Sequence, residues 1–375
     1  MKSVLLGIAL LTTLPHPGLI WAQAFDPNTP DGAMVAAIQK ESDSGHKQAM
    51  LEEFVKTYPN SSQASWAWEQ LQTAYLQGQQ YDKAIDAGQK VLATRPDTTE
   101  VAYNNLKAAE GKNDPDAVMK WSAETSRDAR KEVDSFKAGA DDKARLDYAK
   151  QVDTYTEYSL FATALKTTDP AKIVALTESL EQRSPQSPYL SKAYGRYLNA
   201  LRQTGQNDKA GAAAEAEAQR DPANEDVLLI AADYNMQHNN QDKLLTYSTK
   251  LSELMQTKAK PEEVNDADWQ KKKETLLGLA YWMQGVSYNG QHQFSSADKA
   301  LRQALPLVKS NNQVLPVVLF QLGVADFQLG KASKNKALIQ DALKFSQQSA
   351  ALKSPVQTDA QNNVKAISRE LAVRR

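Results

Sequence analysis

Residues 65–98 read SWAWEQLQTAYLQGQQYDKAIDAGQKVLATRPDT. Trp68, Leu71 and Tyr75 fall three and four residues apart, which puts them on one face of a helix. Gly78 interrupts that pattern. From Tyr81 a second helical set begins, with Ala84, Ile85, Val91 and Leu92 facing back toward the first. Ala84 is small where the two helices cross. Pro96 has no amide hydrogen and disfavours helix in the residue before it, so the second helix stops there. A pair of short helices of this kind cannot bury its apolar face alone and needs neighbours stacked against it.

The same order of residues returns along the chain. Residues 191–224 carry Tyr194, Tyr197, Leu198, Leu201, Gly205, Ala210, Ala214, Ala218 and Pro222, with the spacing from Ala210 to Pro222 equal to that from Ala84 to Pro96. Residues 225–258 follow with Leu228, Ala231, Ala232, Leu244 and Leu251, and residues 278–311 with Tyr281, Gly285, Tyr288, Phe294, Ala297, Leu301, Ala304 and Leu305. Leu322-Gly323 and Gly330 open a further unit, displaced by a turn over Lys331–Lys336. Looser copies occupy 31–60, 99–136 (Ala102, Leu106, Ala109, Trp121) and 154–187 (Tyr155, Tyr158, Leu165, Ile173, Leu176, Leu180), and Thr358 to Val373 reads as one capping helix. About seven or eight units result. The phase predicts N-terminal repeats over 25–153, central repeats over 154–258, a charged insertion at 259–277, and C-terminal repeats with their cap over 278–375. The charged stretches 126–150, with a turn expected at Gly139, and 256–274 read as lengthened helices or as hinges.

These residues resemble the tetratricopeptide repeat, a 34-residue helix-turn-helix unit. Trp68, Leu71, Tyr75, Ala84 and Pro96 match its pattern, while Gln72 stands where the family has a small residue and Gly88 where it has an aromatic one. The resemblance implies an all-α fold, a right-handed α-solenoid of stacked antiparallel helix pairs. It also implies a partner-binding groove lined by the second, fifth, ninth, twelfth and thirteenth residues of each unit. Those are Trp66, Glu69, Thr73, Leu76 and Gln77 in the first clear unit. In 191–224 they are Lys192, Gly195, Asn199, Arg202 and Gln203, with Arg196 beside them, and in 278–311 they include Leu279, Trp282, Val286 and Asn289. Lys192, Arg196, Asn199 and Arg202 share one helix face and could hold a carboxylate or a peptide backbone. Lys192 and Arg196 resemble part of a carboxylate clamp, but Asp226 and Asp233 follow where its remaining residues would fall. Charge reversal at Lys192 and Arg196 is expected to weaken partner capture without unfolding the array.

The first residues bear on location. Lys2, the apolar run Val4 to Leu14 and the small-x-small sequence Ala22-Gln23-Ala24 have the form of a cleavable secretory signal peptide of the bacterial type, cut after Ala24. A periplasmic or secreted protein follows, with no stable membrane insertion after cleavage. The absence of cysteine leaves packing, not disulfides, to hold it. With 44 basic against 45 acidic residues, nothing suggests the clustered basic face that nucleic acid requires.

No catalytic motif stands out: there is no nucleophile elbow and no phosphate-cradling glycine loop. The histidines after the leader, His46, His238 and His292, are too far apart in sequence for a metal motif. No cofactor or metal is expected. The sequence therefore predicts a non-enzymatic exported scaffold that binds a protein or peptide in the cell envelope. The alternative is a periplasmic binder of a glycan, which would stack sugar rings on Trp66 and Trp282.

Overall fold

The computed structural model describes residues 25–137 and 143–373. The leader, the expected cleavage site and Gly139 lie outside the described residues. Every regular element among the described residues is an α-helix. In chain order they are α1 (Pro30–Lys40), α2 (Ser44–Thr57), α3 (Ala64–Gln77), α4 (Tyr81–Thr94), α5 (Thr99–Gly111), α6 (Pro115–Lys137), α7 (Lys143–Lys166), α8 (Pro170–Arg183) and α9 (Leu190–Gln203). They continue as α10 (Asn207–Arg220), α11 (Glu225–Gln237), α12 (Gln241–Thr257), α13 (Asp266–Gly290), α14 (Phe294–Leu307), α15 (Leu315–Ala332), α16 (Lys336–Ala350) and α17 (Gln357–Val373). Consecutive helices pack in pairs, α1 with α2 through α7 with α8 and α11 with α12 through α15 with α16, and α17 packs on α16 as the cap. The expected all-α solenoid is what the chain builds.

Local chemistry sets the helix ends. Asp43, Asp169, Asn224, Asn265 and Asn335 each cap a helix by accepting a bond from a backbone amide of its first turn, satisfying donors that have no partner inside the helix. The turn inside a pair has its own rule. Gly78 itself has φ −80, and the left-handed residue is the next one, Gln79 (φ 55). The same register position is held by Asn113, Gly205, Asn239 and His292, all with positive φ. Glycine suits the position through its backbone, as at Gly205, and asparagine tolerates the conformation better than most other residues.

Packing divides the chain into two compact units, one ending at Ala200 and one beginning at Leu201, so the division falls inside α9. In the first unit, Val35, Ile38, Leu51, Phe54, Ala67, Leu71, Tyr75, Ala84 and Ala87 form one core, with Trp66 and Trp68 packed on its edge. First helices of successive pairs touch one another, α3 with α5 and α5 with α7. In the second unit the same holds for α11, α13, α15 and α17. Of the second helices, α6 and α8 of the first unit also meet. The first-helix layer is therefore the tight, inner layer of each unit.

The charged insertion takes a definite form. From Asp266 onward it is the start of α13, a continuous helix with Trp269 buried. Lys258 and Lys272 both clasp Glu225 at the start of α11. Burial would raise that carboxyl, but the two ammonium groups outweigh it and hold it at about 2. Residues 266–274 of this stretch are thus helix, while residues 258–265 form a non-helical connection from α12. Likewise α15 continues to Ala332, so the displaced turn before α16 is confined to residues 333–335.

Candidate functional site

Consider first the residues that the sequence singles out. Glu69 is ion-paired to Arg95 at the end of α4, while Thr73 and Gln77 are exposed on α3. Trp66 and Trp282 are half-buried against the cores of their own units. The Trp282 indole nitrogen is buried, so neither ring is a free stacking plate. Lys192 is exposed and lies 5.9 Å from the centre of the Tyr189 ring. Asn199 donates to its own helix at the Gly195 carbonyl, and Arg202 pairs with Asp233 at 3.1 Å.

Arg196 requires a correction. Its Nε donates to the Ala164 carbonyl at 2.9 Å, and its Nη2 donates to the Thr167 carbonyl. It thus caps the C-terminus of α7, where carbonyls lack helical partners and the dipole favours a cation. Charge reversal here removes a structural bond, contrary to expectation. Arg196→Ala should cost about 1–2 kcal/mol, whereas Lys192→Glu on the open surface should stay within about 0.5 kcal/mol of the parent. Urea unfolding midpoints of the two variants check this.

A richer constellation lies on the inner face of α5 and α7. Tyr103 meets Tyr155 edge-on at 5.4 Å between ring centres, Tyr155 meets Tyr158 at 5.9 Å, Tyr158 meets Tyr189 at 5.8 Å, and Tyr189 stacks on Phe161 at 5.3 Å. The four tyrosines are half-buried, presenting part of each ring outward. Lys107 donates to the Tyr155 hydroxyl at 2.8 Å and pairs with Glu110 at 3.0 Å, while the same hydroxyl lies 2.9 Å from Glu110 Oε2. Burial, with Glu110 adjacent, pushes the Tyr155 phenol well above its ordinary value, so it stays a neutral donor. Beside the ladder is a cavity of about 500 Å³ whose lining includes Lys107, Glu110, Tyr155, Tyr158, Ala162 and Lys166.

The groove offsets, carried from the three clearest repeats into the two looser ones, give these residues. In 99–136 they fall on Glu100, Tyr103, Lys107, Glu110 and Gly111, and in 154–187 on Tyr155, Tyr158, Ala162, Leu165 and Lys166. The sequence pattern reads Tyr155, Tyr158 and Leu165 as packing residues. In the structure Leu160, Phe161 and Ala164 are the buried ones and Leu165 is 42% exposed.

No family model matches the chain, and no curated protein matches it. Among solved structures it is similar to the TPR domain of P58(IPK), at 13% identity and a TM-score of 0.28, over 92% of this chain and 97% of that one. It is also similar to the APC/C hetero-tetramer Cut9–Hcn1, at 13% identity and a TM-score of 0.26, over 92% of this chain and 85% of that one. The deciding observation is internal. Helices of 14 residues at Ala64–Gln77 and Tyr81–Thr94 have equals at Leu190–Gln203 and Asn207–Arg220, and the left-handed turn residue recurs from Gln79 to Asn113 and from Gly205 to Asn239, 34 residues apart each time. The fold is of the tetratricopeptide-repeat type.

The inner-face residues offer stacking, hydrogen bonding and charge. Among the described residues no group of three or more His, Asp or Glu side chains could hold a metal ion, and no helix is long and apolar enough to cross a membrane. Asp298 and Asp326 form one acid pair, both held by Arg302, at 2.6 and 2.9 Å. Asp326 is fully buried there, so the pair does not face an open cleft.

Proposed function

We propose that this chain is a non-catalytic, exported scaffold that binds a protein or peptide in the cell envelope, through the inner face of its N-terminal repeats. The observation that carries the reading is the tyrosine ladder with its Lys107–Tyr155–Glu110 network. Partly exposed aromatic rings beside a cavity offer large contact area at low entropic cost, and fixed donors and acceptors next to them can meet a peptide backbone. Export rests on the apolar leader and the Ala-x-Ala sequence, and predicts a protein that begins at Phe25 in the periplasmic fraction.

A photo-crosslinking residue at Ala162, compared with one at Lys90 on a second helix, tests the binding face in intact cells. A protein adduct from position 162 and none from position 90 is expected. Tyr155→Ala with Tyr158→Ala should lower the captured amount at least about tenfold, a loss of about 1.4 kcal/mol, with helicity unchanged. Tyr155→Phe keeps the ring and should lose much less. Adducts of equal yield from both positions would overturn the assignment of the inner face. An adduct with glycan and no protein would favour the sugar-binding alternative, then through tyrosines and not through Trp66 or Trp282.

A further inference from the structure

The overall charge balance conceals an asymmetry along the chain. Residues 331–375 hold nine basic side chains and three acidic ones, whereas residues 1–330 hold 35 and 42. A segment of net charge +6 thus ends a body of net charge −7.

The fold gathers those cations. Phe327 near the end of α15, Ile339 and Leu343 near the start of α16, and Ile367 and Leu371 near the end of α17 pack into one small core. That core holds the last turns of two first helices and the turn between α15 and α16 at one edge of the C-terminal unit. Lys331 lies over it, with its ammonium 5.5 Å from the centre of the Phe327 ring. Lys334 stands in the turn that follows, and Lys336 opens α16. On α17, Lys365 and Arg369 are four residues apart and share the face opposite the buried Ile367. All five are exposed, and none forms an ion pair among the described residues. The acids nearby are already engaged. Asp341 holds Lys344 at 3.0 Å, Asp298 and the buried Asp326 share Arg302, and Glu370 has an interaction of its own. The edge is therefore positive in the folded chain and not only in sequence.

Two ordinary roles leave most of it unexplained. A cation in the last turn of a helix offsets its dipole, which accounts for Lys331 alone. Lys334 and Lys336 flank the start of α16, where the dipole opposes a cation. A polar cap keeps the end of an array soluble, but charges of both signs serve that best.

We infer that this edge rests on a membrane surface that carries anionic phospholipid, held through the headgroup phosphates. Four of the five cations are lysines, compact charges on flexible stems that suit a diffuse layer of phosphates better than one fixed acid. Val373, 86% exposed at the end of α17, adds an apolar contact of the kind that settles at the headgroup boundary. No helix among the described residues is long and apolar enough to cross a membrane, so the contact is peripheral. Each cation close to an anionic leaflet strengthens binding about fivefold, an effect that fades within a Debye length, about 10 Å at 0.1 M salt. The inference concerns the C-terminal unit and does not depend on the peptide reading of the first.

Sedimentation of the chain from Phe25 onward, which contains every described residue, tests it with two kinds of vesicle. One is phosphatidylcholine alone, and the other includes about one-third phosphatidylglycerol. Binding is expected to the anionic vesicles alone, falling at least about tenfold between about 0.05 and 0.5 M salt. Lys365→Glu/Arg369→Glu should bind at least about tenfold more weakly, and so should Lys334→Glu/Lys336→Glu, which alters a different element. Lys271→Glu/Lys309→Glu changes the net charge equally at two exposed cations near the starts of α13 and α15, and should stay within about threefold of the parent. Lys365→Arg/Arg369→Lys keeps the charge and should bind like the parent. No binding to anionic vesicles, equal binding to neutral ones, or an equal loss in the Lys271/Lys309 variant would overturn the inference. So would binding to a DNA duplex in preference to the vesicles, which would assign the edge to nucleic acid.

Discussion

Gly88→Ala should destabilise the N-terminal unit by about 2–4 kcal/mol, although the same change in an ordinary helix interior stabilises by about 0.5–1 kcal/mol. A Cβ at position 88 would sit 2.3 Å from Asn105 Oδ1 and 2.3 Å from Gln72 Nε2. Those two atoms are bonded to each other at 2.9 Å, and Gln72 Nε2 also donates to the Val101 carbonyl at 2.9 Å. Both side chains are fully buried. The methyl group must overpack the site, at about 1–3 kcal/mol, and part a buried polar pair, at about 1–3 kcal/mol for each group left unmet. Gly45 offers the control: the nearest atom to its added Cβ is an Asp43 carboxylate oxygen at 3.5 Å, so Gly45→Ala should be neutral or slightly stabilising. In a Gln72→Ala/Asn105→Ala background the cost of Gly88→Ala should shrink by at least about 1 kcal/mol, a coupling in the range found for residues in contact. Denaturant midpoints of the four-member cycle measure it, and an unchanged cost in that background would refute the account.

The C-terminal unit should lose stability as pH rises from about 4 to about 7. Asp326 is fully buried, shares a site with Asp298 and has one oxygen without a partner. Burial raises its carboxyl first, Asp298 adds to that, and Arg302 offsets only part, so the group titrates at about 7 against an ordinary 3.8. The folded state thus holds a proton that the unfolded chain has already released above pH 4. A raised folded value means that the stabilisation is fully present below about 4 and lost through about 7, after which the curve is flat. The size is on the order of 3 kcal/mol. Asp326→Asn should abolish the slope and exceed the parent in stability at pH 8. Unfolding midpoints at pH 5 and pH 8 for both proteins decide the matter, and equal slopes would show that the proton sits elsewhere.

Both cases bear on how far the chain can be read from its letters. The periodicity of Trp68, Leu71, Tyr75 and Ala84 was enough for the helix pairs, because one-dimensional spacing determines which helix face is apolar. The two departures from the repeat pattern, Gln72 and Gly88, look like independent blemishes in sequence. In space they explain each other: the long amide fills the volume that the missing side chain leaves. At Gly285 and Leu301 the sizes are reversed, with the leucine occupying the place of the absent Cβ at 2.4 Å. The ladder was missed: Tyr155 and Tyr158 read as packing residues, although the groove offsets reach Tyr103, Lys107, Tyr155 and Tyr158 when they are carried into the weaker repeats. Arg196 was not legible. Its partners lie 29 and 32 residues back in the chain, and whether a long cation reaches solvent or a neighbouring helix end is a matter of rotamer and approach that spacing does not encode. The burial of Asp128 escaped for the same reason: within a run of alternating charges, only packing distinguishes the one that is buried.

The closeness of the first helices has a mechanical corollary. In each unit the inner layer makes direct contacts from pair to pair, while the outer layer mostly does not. A unit pulled at its ends therefore resists along the inner layer and yields along the outer one, so bending opens gaps between second helices before it lengthens the row of first helices. The row from Glu100 to Glu110 runs along one first helix and crosses that layer, so its own length is fixed by the helix. The spacing of residues within one such helix therefore changes less on bending than the gaps between second helices do.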